Sequence, residues 1–425
     1  MKILIVNTSE RTGGAAVAAN RLMKALNKAG HEAKMLVCDK QTNDPNVVSI
    51  NTNCWKEKIN FIRFVWERWV IFVHNRFNYK TLFKVSIANT GTDISKHPLV
   101  KEADIIHLHW INQGFLSLKN IRQLILSGKP MIWTMHDMWA CTGICHHSRE
   151  CISYQSKCGN CFHLNSSRKK DLSFRIFSKK KKIWVNRHIS FVGCSKWLEK
   201  KAIQSPLMQG NKVYAIPNPI DITTFKPMEK EQARKQLKLP LNKQLLLFGA
   251  VNITDKQKGF DYLQEGLVYI KRQFPDIYKN IELVIFGQLK SDILSRINVF
   301  VHSMNYLKDE TTIALLYNAV DLFVTPSLEE NLPNTIMEAM SCGTPCVGFN
   351  TGGIPEMIDH KVLGYVAEYK SAKDLAAGIN WCLKNNNKLM PEARKKTKVC
   401  YTENVVAKQY IDLYTKMIKT PMTKR

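Results

Sequence analysis

The feature that most constrains this chain is an alternation of short, largely apolar segments with helix-patterned ones, and it occurs twice. In the first half Ile3–Val6, Ala33–Val37, Ile105–His109, Met131–Thr134, Phe191–Cys194 and Val213–Ile216 read as strands. Val17–Ala29, Ile121–Leu126 and Lys196–Ile203 read as helices, the first two stopped by Gly30 and Gly128. Pro217-Asn-Pro219 and Phe225-Lys-Pro227 mark a linker. Beyond it, strands at Leu245–Phe248, Ile281–Phe286, Leu322–Val324, Pro345–Phe349 and Gly364–Ala367 alternate with helices at Tyr262–Gln273, Thr311–Asn318, Thr335–Met340 and Ala372–Leu383. Short apolar strands spaced by helices argue doubly wound parallel sheets. A chain of 425 residues exceeds one core. The expected class is α/β, with two Rossmann-like doubly wound domains facing a central cleft. The N-terminal domain is expected over 1–217 and the C-terminal one over 228–404.

The formal charge is +27, with 62 Lys and Arg against 35 Asp and Glu. Such a surface suits anionic partners: nucleic acid, an acidic membrane, or phosphorylated substrates. No run of eighteen uncharged apolar residues occurs, so no membrane-spanning helix is expected. Met1-Lys-Ile-Leu-Ile-Val-Asn7 is too short for a signal peptide and reads as the first strand. A cytoplasmic protein with its 12 cysteines reduced is the expectation.

The chemistry concentrates in Glu330-Asn-Leu-Pro-Asn-Thr-Ile-Met-Glu338, which follows the apolar run Val320–Val324. Glu330 falls in a strand-to-helix loop and Glu338 one turn inside the helix. Two carboxylates so placed can reach one ligand from two sides. N–H groups at the helix start suit a phosphate at the same point. Hydroxyls on one side and phosphate on the other describe a nucleotide-sugar. The bland alternative is a surface carboxylate and a helix-face carboxylate without a role.

The string from Pro326-Ser-Leu-Glu-Glu330 through Gly343-Thr-Pro-Cys-Val347 to Gly352-Gly-Ile-Pro-Glu356 resembles the E-x7-E region of retaining glycosyltransferase family 4. The resemblance covers nearly the whole chain and is strongest from Lys258 to Gly364. It implies the two-domain GT-B fold, with a final helix in 405–425 crossing back to the N-terminal domain. It also implies retaining, metal-independent transfer of a hexose-type sugar from a nucleoside-diphosphate-sugar to a glycan or lipid-linked acceptor, in cell-surface polysaccharide biosynthesis. In that pattern Glu338 binds the ribose hydroxyls and Glu330 lies near the donor sugar. N–H groups around Leu332, Asn334 and Thr335 hold the distal phosphate. Lys258 neutralises the departing diphosphate, and His109 stands beside acceptor and donor sugar. The family's usual basic partner, six residues before Lys258, is Asn252 here, with Lys256 as a substitute. No catalytic metal or other catalytic cofactor is expected.

Other residues are weaker candidates. Gly13 and Gly14 follow a strand and open a helix, where small residues let backbone approach a ligand. His107 shares a strand face with His109, and His136, followed by Asp137, ends the next strand; both are cleft candidates, with a structural histidine as the alternative. Glu356 is either a cleft group or a helix-start glutamate.

Five cysteines fall within 141–163, including Cys158-Gly-Asn-Cys161. Cys145, Cys151, Cys158 and Cys161 are read as four thiolate ligands of a structural zinc, with free thiols or disulfides as the alternative. Some bacterial members of the resembled family carry a similar Cys-rich insert. The stretch Trp55–Phe83 interleaves aromatic and basic residues, and Ile59, Ile62, Trp66, Trp69 and Val73 follow helical spacing. Arg168–Arg187 is polybasic and contains Lys179–Lys182. Both read as contacts for an anionic membrane on the inner face of the cytoplasmic membrane, against a buried helix and a solvated charge run. Two competing functions are a GT-B-like nucleotide-sugar epimerase and a basic nucleic-acid-binding protein. The second is disfavoured because no RRM, helix-turn-helix or KH pattern occurs.

Overall fold

A computed structural model describes residues 1–288, 297–305, 307 and 309–419. The chain divides into two compact units: Met1–Asn218 together with the chain from Val406 onward, and Pro219–Val405.

The first unit holds a seven-stranded sheet. Its strands are β1 (Lys2–Val6), β2 (Glu32–Val37), β3 (Val47–Ser49), β4 (Ile105–Leu108), β5 (Met131–Met135), β6 (Ile189–Gly193) and β7 (Lys212–Ala215). They run in the order β3-β2-β1-β4-β5-β6-β7, and every pairing is parallel. β1, β4, β5 and β6 are almost wholly buried, which explains their unbroken apolar sequence. The helix Glu403–Lys419 packs onto this sheet: Val406, Tyr410 and Tyr414 share a core with Ile3, Ile5 and Ile132.

The second unit holds β8 (Gln244–Asn252), β9 (Ile281–Gln288), β10 (Val301–Ser303), β11 (Leu322–Thr325), β12 (Cys346–Phe349) and β13 (Gly364–Ala367). Their order is β10-β9-β8-β11-β12-β13, again parallel throughout. Both sheets reverse winding once, between β1 and β4 and between β8 and β11. Ligands of open parallel sheets bind beyond the carboxyl ends of the strands at such a point.

Four stretches differ from expectation. The edge strands β3 and β10 are three residues each, too short to stand out as apolar runs. The helix expected to end at Leu383 runs from Ala372 to Cys400, through Pro391. Proline deletes one helical hydrogen bond, but tertiary anchors hold the second half. Leu389, Ala393 and Thr397 are buried, and Arg394 donates to the carbonyls of Phe225, Ser341 and Ile222. The polybasic run forms the helix Leu172–Trp184, with Lys180 turned fully inward. The Lys180 ammonium donates to the Trp139 and Thr142 carbonyls at 2.5 and 3.1 Å and lies over the Trp139 ring. Burial pulls its pKa down to about 7.

Candidate active site

In the second unit, β8 and β11 lead into two loops that are laid against each other. Asp255 caps the first loop by accepting from the Gln257 N–H, and the Lys258 N–H donates to the Asp255 carbonyl. The Leu328 N–H then donates to the Gln257 carbonyl at 2.8 Å, stitching the loops together. Gly259 sets how closely they approach, and Gly352, in the loop after β12, sits against the second of them. Both have positive φ, 69° and 58°. A Cβ on Gly259 would stand 1.8 Å from the Pro326 carbonyl oxygen, and one on Gly352 would stand 1.7 Å from that of Glu330. Next to Gly352, the Gly353 N–H donates to the same Glu330 carbonyl at 3.0 Å.

This packing brings Lys258 and Glu330 together, with Nζ 2.5 Å from Oε1. The Glu330 carboxylate raises the Lys258 pKa, outweighing the opposite effect of burial, so the ammonium stays charged. Both side chains keep partial access to solvent. Gly352→Ala is expected to force the Glu330 loop away and lower donor turnover at least about tenfold, since small misplacements at a site carry such costs. Side-by-side kinetics and thermal melts would separate that from unfolding.

The helix Asn334–Ser341 starts after Pro333, which makes no side-chain cap, and its first turn carries no acid. A helix start carries partial positive charge, and here no acid of its own first turn offsets it. Glu338 lies one turn in and is buried, with the Tyr317 hydroxyl donating to its Oε2 at 3.3 Å. Leu332 is buried, whereas Asn334 and Thr335 are partly exposed at the helix start. Asn252 is exposed at the end of β8, and its side-chain oxygen accepts from the Thr254 N–H and hydroxyl. Lys256 is exposed. Glu356 occupies the first turn of the short helix Ile354–Met357, half-buried, a helix-start position. Tyr317 escaped sequence reasoning, because nothing in its helix marks it as a partner of Glu338. Gly259 and Gly352 were present in the motif strings, but their spatial partners were not.

In the first unit the winding reversal is flanked by Gly13 and His109. Gly13 caps the helix Gly14–Lys28 at φ 89°, with open space where a Cβ would stand. His109 follows β4, and its Nδ1 is 2.9 Å from His136 Nε2. His109 Nε2 is buried without a hydrogen-bond partner among the described residues. Burial lowers both pKa values, to about 4 for His136 and well below the usual range for His109. Both imidazoles are neutral at pH 7, able to donate or accept a hydrogen bond. His109, Trp110, Asn112, His136 and Asp137 line one recess. Asp137 organises it, accepting from Trp110 Nε1, His146 Nδ1 and the Trp139 N–H. Burial alone would raise its carboxyl, but His146 and these bonds hold it at about 2.

His107 is a correction to the expected cleft residues. It is fully buried, with Nδ1 at 2.7 Å from the Tyr414 hydroxyl and Nε2 at 2.7 Å from the Thr134 hydroxyl. It sits mid-strand, paired with Ile5, beneath the C-terminal helix.

Residues 229–399 match the family described as Glycosyl transferases group 1. Residues 12–224, half of the chain, match Glycosyltransferase Family 4. The chain belongs to the glycosyltransferases of the GT-B fold. An uncharacterized glycosyltransferase of Haemophilus influenzae is 24% identical over 47% of this GT-B chain and 55% of its own length. An N,N'-diacetylbacillosaminyl-diphospho-undecaprenol alpha-1,3-N-acetylgalactosaminyltransferase of Campylobacter jejuni is 32% identical over 28% of the chain and 32% of its own. The chain thus spans from a third to about half of these two relatives. A putative colanic acid biosynthesis glycosyl transferase of Escherichia coli is 21% identical over 79% of the chain and 80% of its own. Among solved structures, sucrose-phosphate synthase of Thermosynechococcus elongatus matches 98% of both chains at a TM-score of 0.65 and 17% identity. The Anabaena protein HepE in complex with UDP and glucose matches 98% of this chain and 99% of its own, at 0.61 and 16%.

The cysteine loop of this glycosyltransferase lies in the first unit, and all twelve cysteines are free. Cys145, Cys158 and Cys161 are buried and Cys151 half-buried. The Gly143 N–H donates to Cys158 Sγ, and the Cys161 N–H to Asp171. Burial above all, with Asp171 and the neighbouring thiols adding to it, pushes Cys158 up to about 11 and Cys161 to about 12. Burial, and then Cys161, Cys158 and Cys151, raise the Cys145 thiol well above its ordinary pKa. Among the described residues, however, no group of three or more His, Cys, Asp or Glu is arranged to hold a metal ion. As placed, the four form a thiol cluster and not a coordination shell.

Proposed function

We propose that this chain is a retaining, metal-independent glycosyltransferase. It moves a sugar from a nucleoside-diphosphate-sugar to a glycan or lipid-linked acceptor in the making of cell-surface polysaccharide. The observation that carries this reading is the Lys258–Glu330 pair at the winding reversal of the second sheet, beside a helix start and Glu338. Lys258 meets the departing diphosphate, and backbone N–H groups of the Leu332–Thr335 turn hold its distal phosphate. Preorganised donors of this kind stabilise charge that develops only as the bond breaks. Glu338 accepts from the ribose hydroxyls and is positioned by Tyr317. Glu330 holds hydroxyls of the donor sugar. In the first unit, the buried Nε2 of His109, without a hydrogen-bond partner among the described residues, would take a sugar hydroxyl once the recess admits one.

The acceptor class is supported by the Campylobacter relative, whose name carries a diphospho-undecaprenol, and by the colanic acid relative. The test offers UDP-, GDP-, ADP- and dTDP-sugars to the purified chain and assays released nucleoside diphosphate, with and without EDTA. Release from one donor, unchanged by EDTA, with the sugar transferred as the anomer of the donor, is the expected result. Loss of release in EDTA, restored by Mn²⁺, contradicts the metal-independent part.

For the loop at 141–163 the proposal is structural zinc held by Cys145, Cys151, Cys158 and Cys161, which would have to draw in from their present arrangement to form its shell. Four protein ligands leave no open position, so the metal takes no part in the transfer. Elemental analysis of the purified protein should find close to one equivalent. Less than about a tenth of an equivalent ends the proposal.

A further inference from the structure

The helix Cys54–His74 is folded inside out. Its buried residues are Glu67, Arg68 and Ile71. Glu67 accepts the N–H groups of Ile87 and Ala88 at 2.8 and 2.9 Å. It also pairs with Arg68 at 3.1 Å. Arg68 donates to the carbonyls of Leu82 and Val85. This polar clamp faces the protein, and the apolar stripe faces away. Ile59, Ile62, Trp66 and Trp69 are 46%, 63%, 50% and 53% exposed. Trp55 and Phe77, near the two ends, are 70% and 68% exposed. Eleven of the twenty-three exposed large apolar side chains among the described residues lie between Trp55 and Phe83. Scattered exposed apolar residues need no explanation, but a contiguous patch marks an interaction surface.

Charge says which surface. Lys56, Lys58, Arg76 and Lys80 are exposed along the same stretch, against one exposed acid, Glu57. The far end of the helix is tied to a second basic segment. Ser166 donates to the His74 carbonyl and the Asn165 N–H to Asn75 Oδ1, both at 2.6 Å. Immediately beyond stand Arg168, Lys169 and Lys170, all exposed. No helix among the described residues is long and apolar enough to cross a membrane. An apolar face with tryptophans, bordered by cations, is the composition of a helix that lies in a lipid interface.

We propose that the outer face of Cys54–His74 docks the protein on an anionic lipid bilayer, with Trp66 and Trp69 in the acyl boundary and the flanking cations on the head groups. The proposal is independent of the donor-site reading, and its failure would leave nucleotide release untouched.

The test is flotation of the full chain with phosphatidylcholine vesicles, with and without phosphatidylglycerol, comparing wild type with Trp66→Glu/Trp69→Glu. Both side chains are exposed, so the variant should melt like wild type and release nucleoside diphosphate at the same rate. Wild type should float with the anionic vesicles only, and the variant's bound fraction should fall about tenfold or more. Equal flotation of both proteins, or no flotation of wild type, overturns the proposal. So does a wild-type dimer in solution that the same substitutions split without any vesicle binding, since the face would then cover a second copy.

Discussion

Lys258→Ala and Glu330→Ala are each expected to lower donor turnover by about 10²–10³-fold while leaving the melting temperature within a few degrees. Both side chains are partly open to solvent, so neither carries a core. Their cost falls on the reaction. Without Lys258 the leaving diphosphate has no ammonium to take up its developing charge. Without Glu330 the sugar loses its anchor and Lys258 loses the carboxylate that holds its pKa up. The two groups touch, so the double variant should cost clearly less than the product of the single effects. Glu330→Gln keeps hydrogen bonding to sugar hydroxyls but removes the charge next to Lys258, so it should fall between wild type and alanine. Steady-state release of nucleoside diphosphate measures all four proteins. Full activity in Lys258→Ala would remove the lysine from the mechanism.

His107→Ala is expected to destabilise the first unit by about 3–5 kcal/mol, through a cavity and two hydroxyls left without their partner. Tyr414 and Thr134 lose a bond at once, and Thr134 also bonds Tyr410, so the C-terminal helix loosens on the sheet. The same histidine makes stability depend on pH. Burial lowers its pKa to about 3, and those of His136 and His163 to about 4. In the unfolded chain an imidazole titrates near about 6.5. The unfolded state therefore binds more protons below that pH. The stability these groups contribute is complete above about pH 6.5 and is lost as pH falls toward 4, by about 1.4 kcal/mol per pH unit for each histidine. Thermal melts from pH 7.5 to 5 should show the decline, and His107→Ala should show a shallower one. A melting temperature flat over that range would contradict neutral burial of these rings.

Most of the sheet was legible because buried parallel strands must be apolar along their whole length. Ile3–Val6, Phe191–Cys194 and Leu322–Val324 announce themselves in that way, whereas β3 and β10 are too short to do so. Asn385-Asn386-Asn387 and Pro391 are local breakers, so local pattern alone ends the Ala372 helix near Leu383. Arg394, reaching carbonyls more than fifty residues away, overrides them. Spacing along Ile59–Val73 gave the helix and its stripe but not which way the stripe points. That was decided by Glu67 and Arg68, whose partners lie in the Leu82–Ala88 segment. Lys180 looked like one cation among four until its backbone acceptors were in place.

The site shows the same division. Residue types and spacing picked out Glu330, Glu338 and Lys258, since carboxylates and a lysine around a helix start have a chemistry. Their meeting depends on Gly259 and Gly352 lying against distant carbonyls, which no local pattern shows. Strand alternation put His107 and His109 on one face, correctly. It could not show that a tyrosine more than three hundred residues later would close over His107 and leave His109, of the two, with a nitrogen that has no partner among the described residues.

The most direct test of the central claim is calorimetric titration of the full chain with UDP, GDP, ADP and dTDP, for wild type and Glu338→Gln. The account predicts saturable binding of one nucleoside diphosphate at one site, weakened about tenfold or more in the variant, as replacing a charged carboxylate by an amide with one acceptor oxygen at buried ribose hydroxyls should cost. No binding of any of the four, with tight salt-dependent binding of nucleic acid instead, would contradict it.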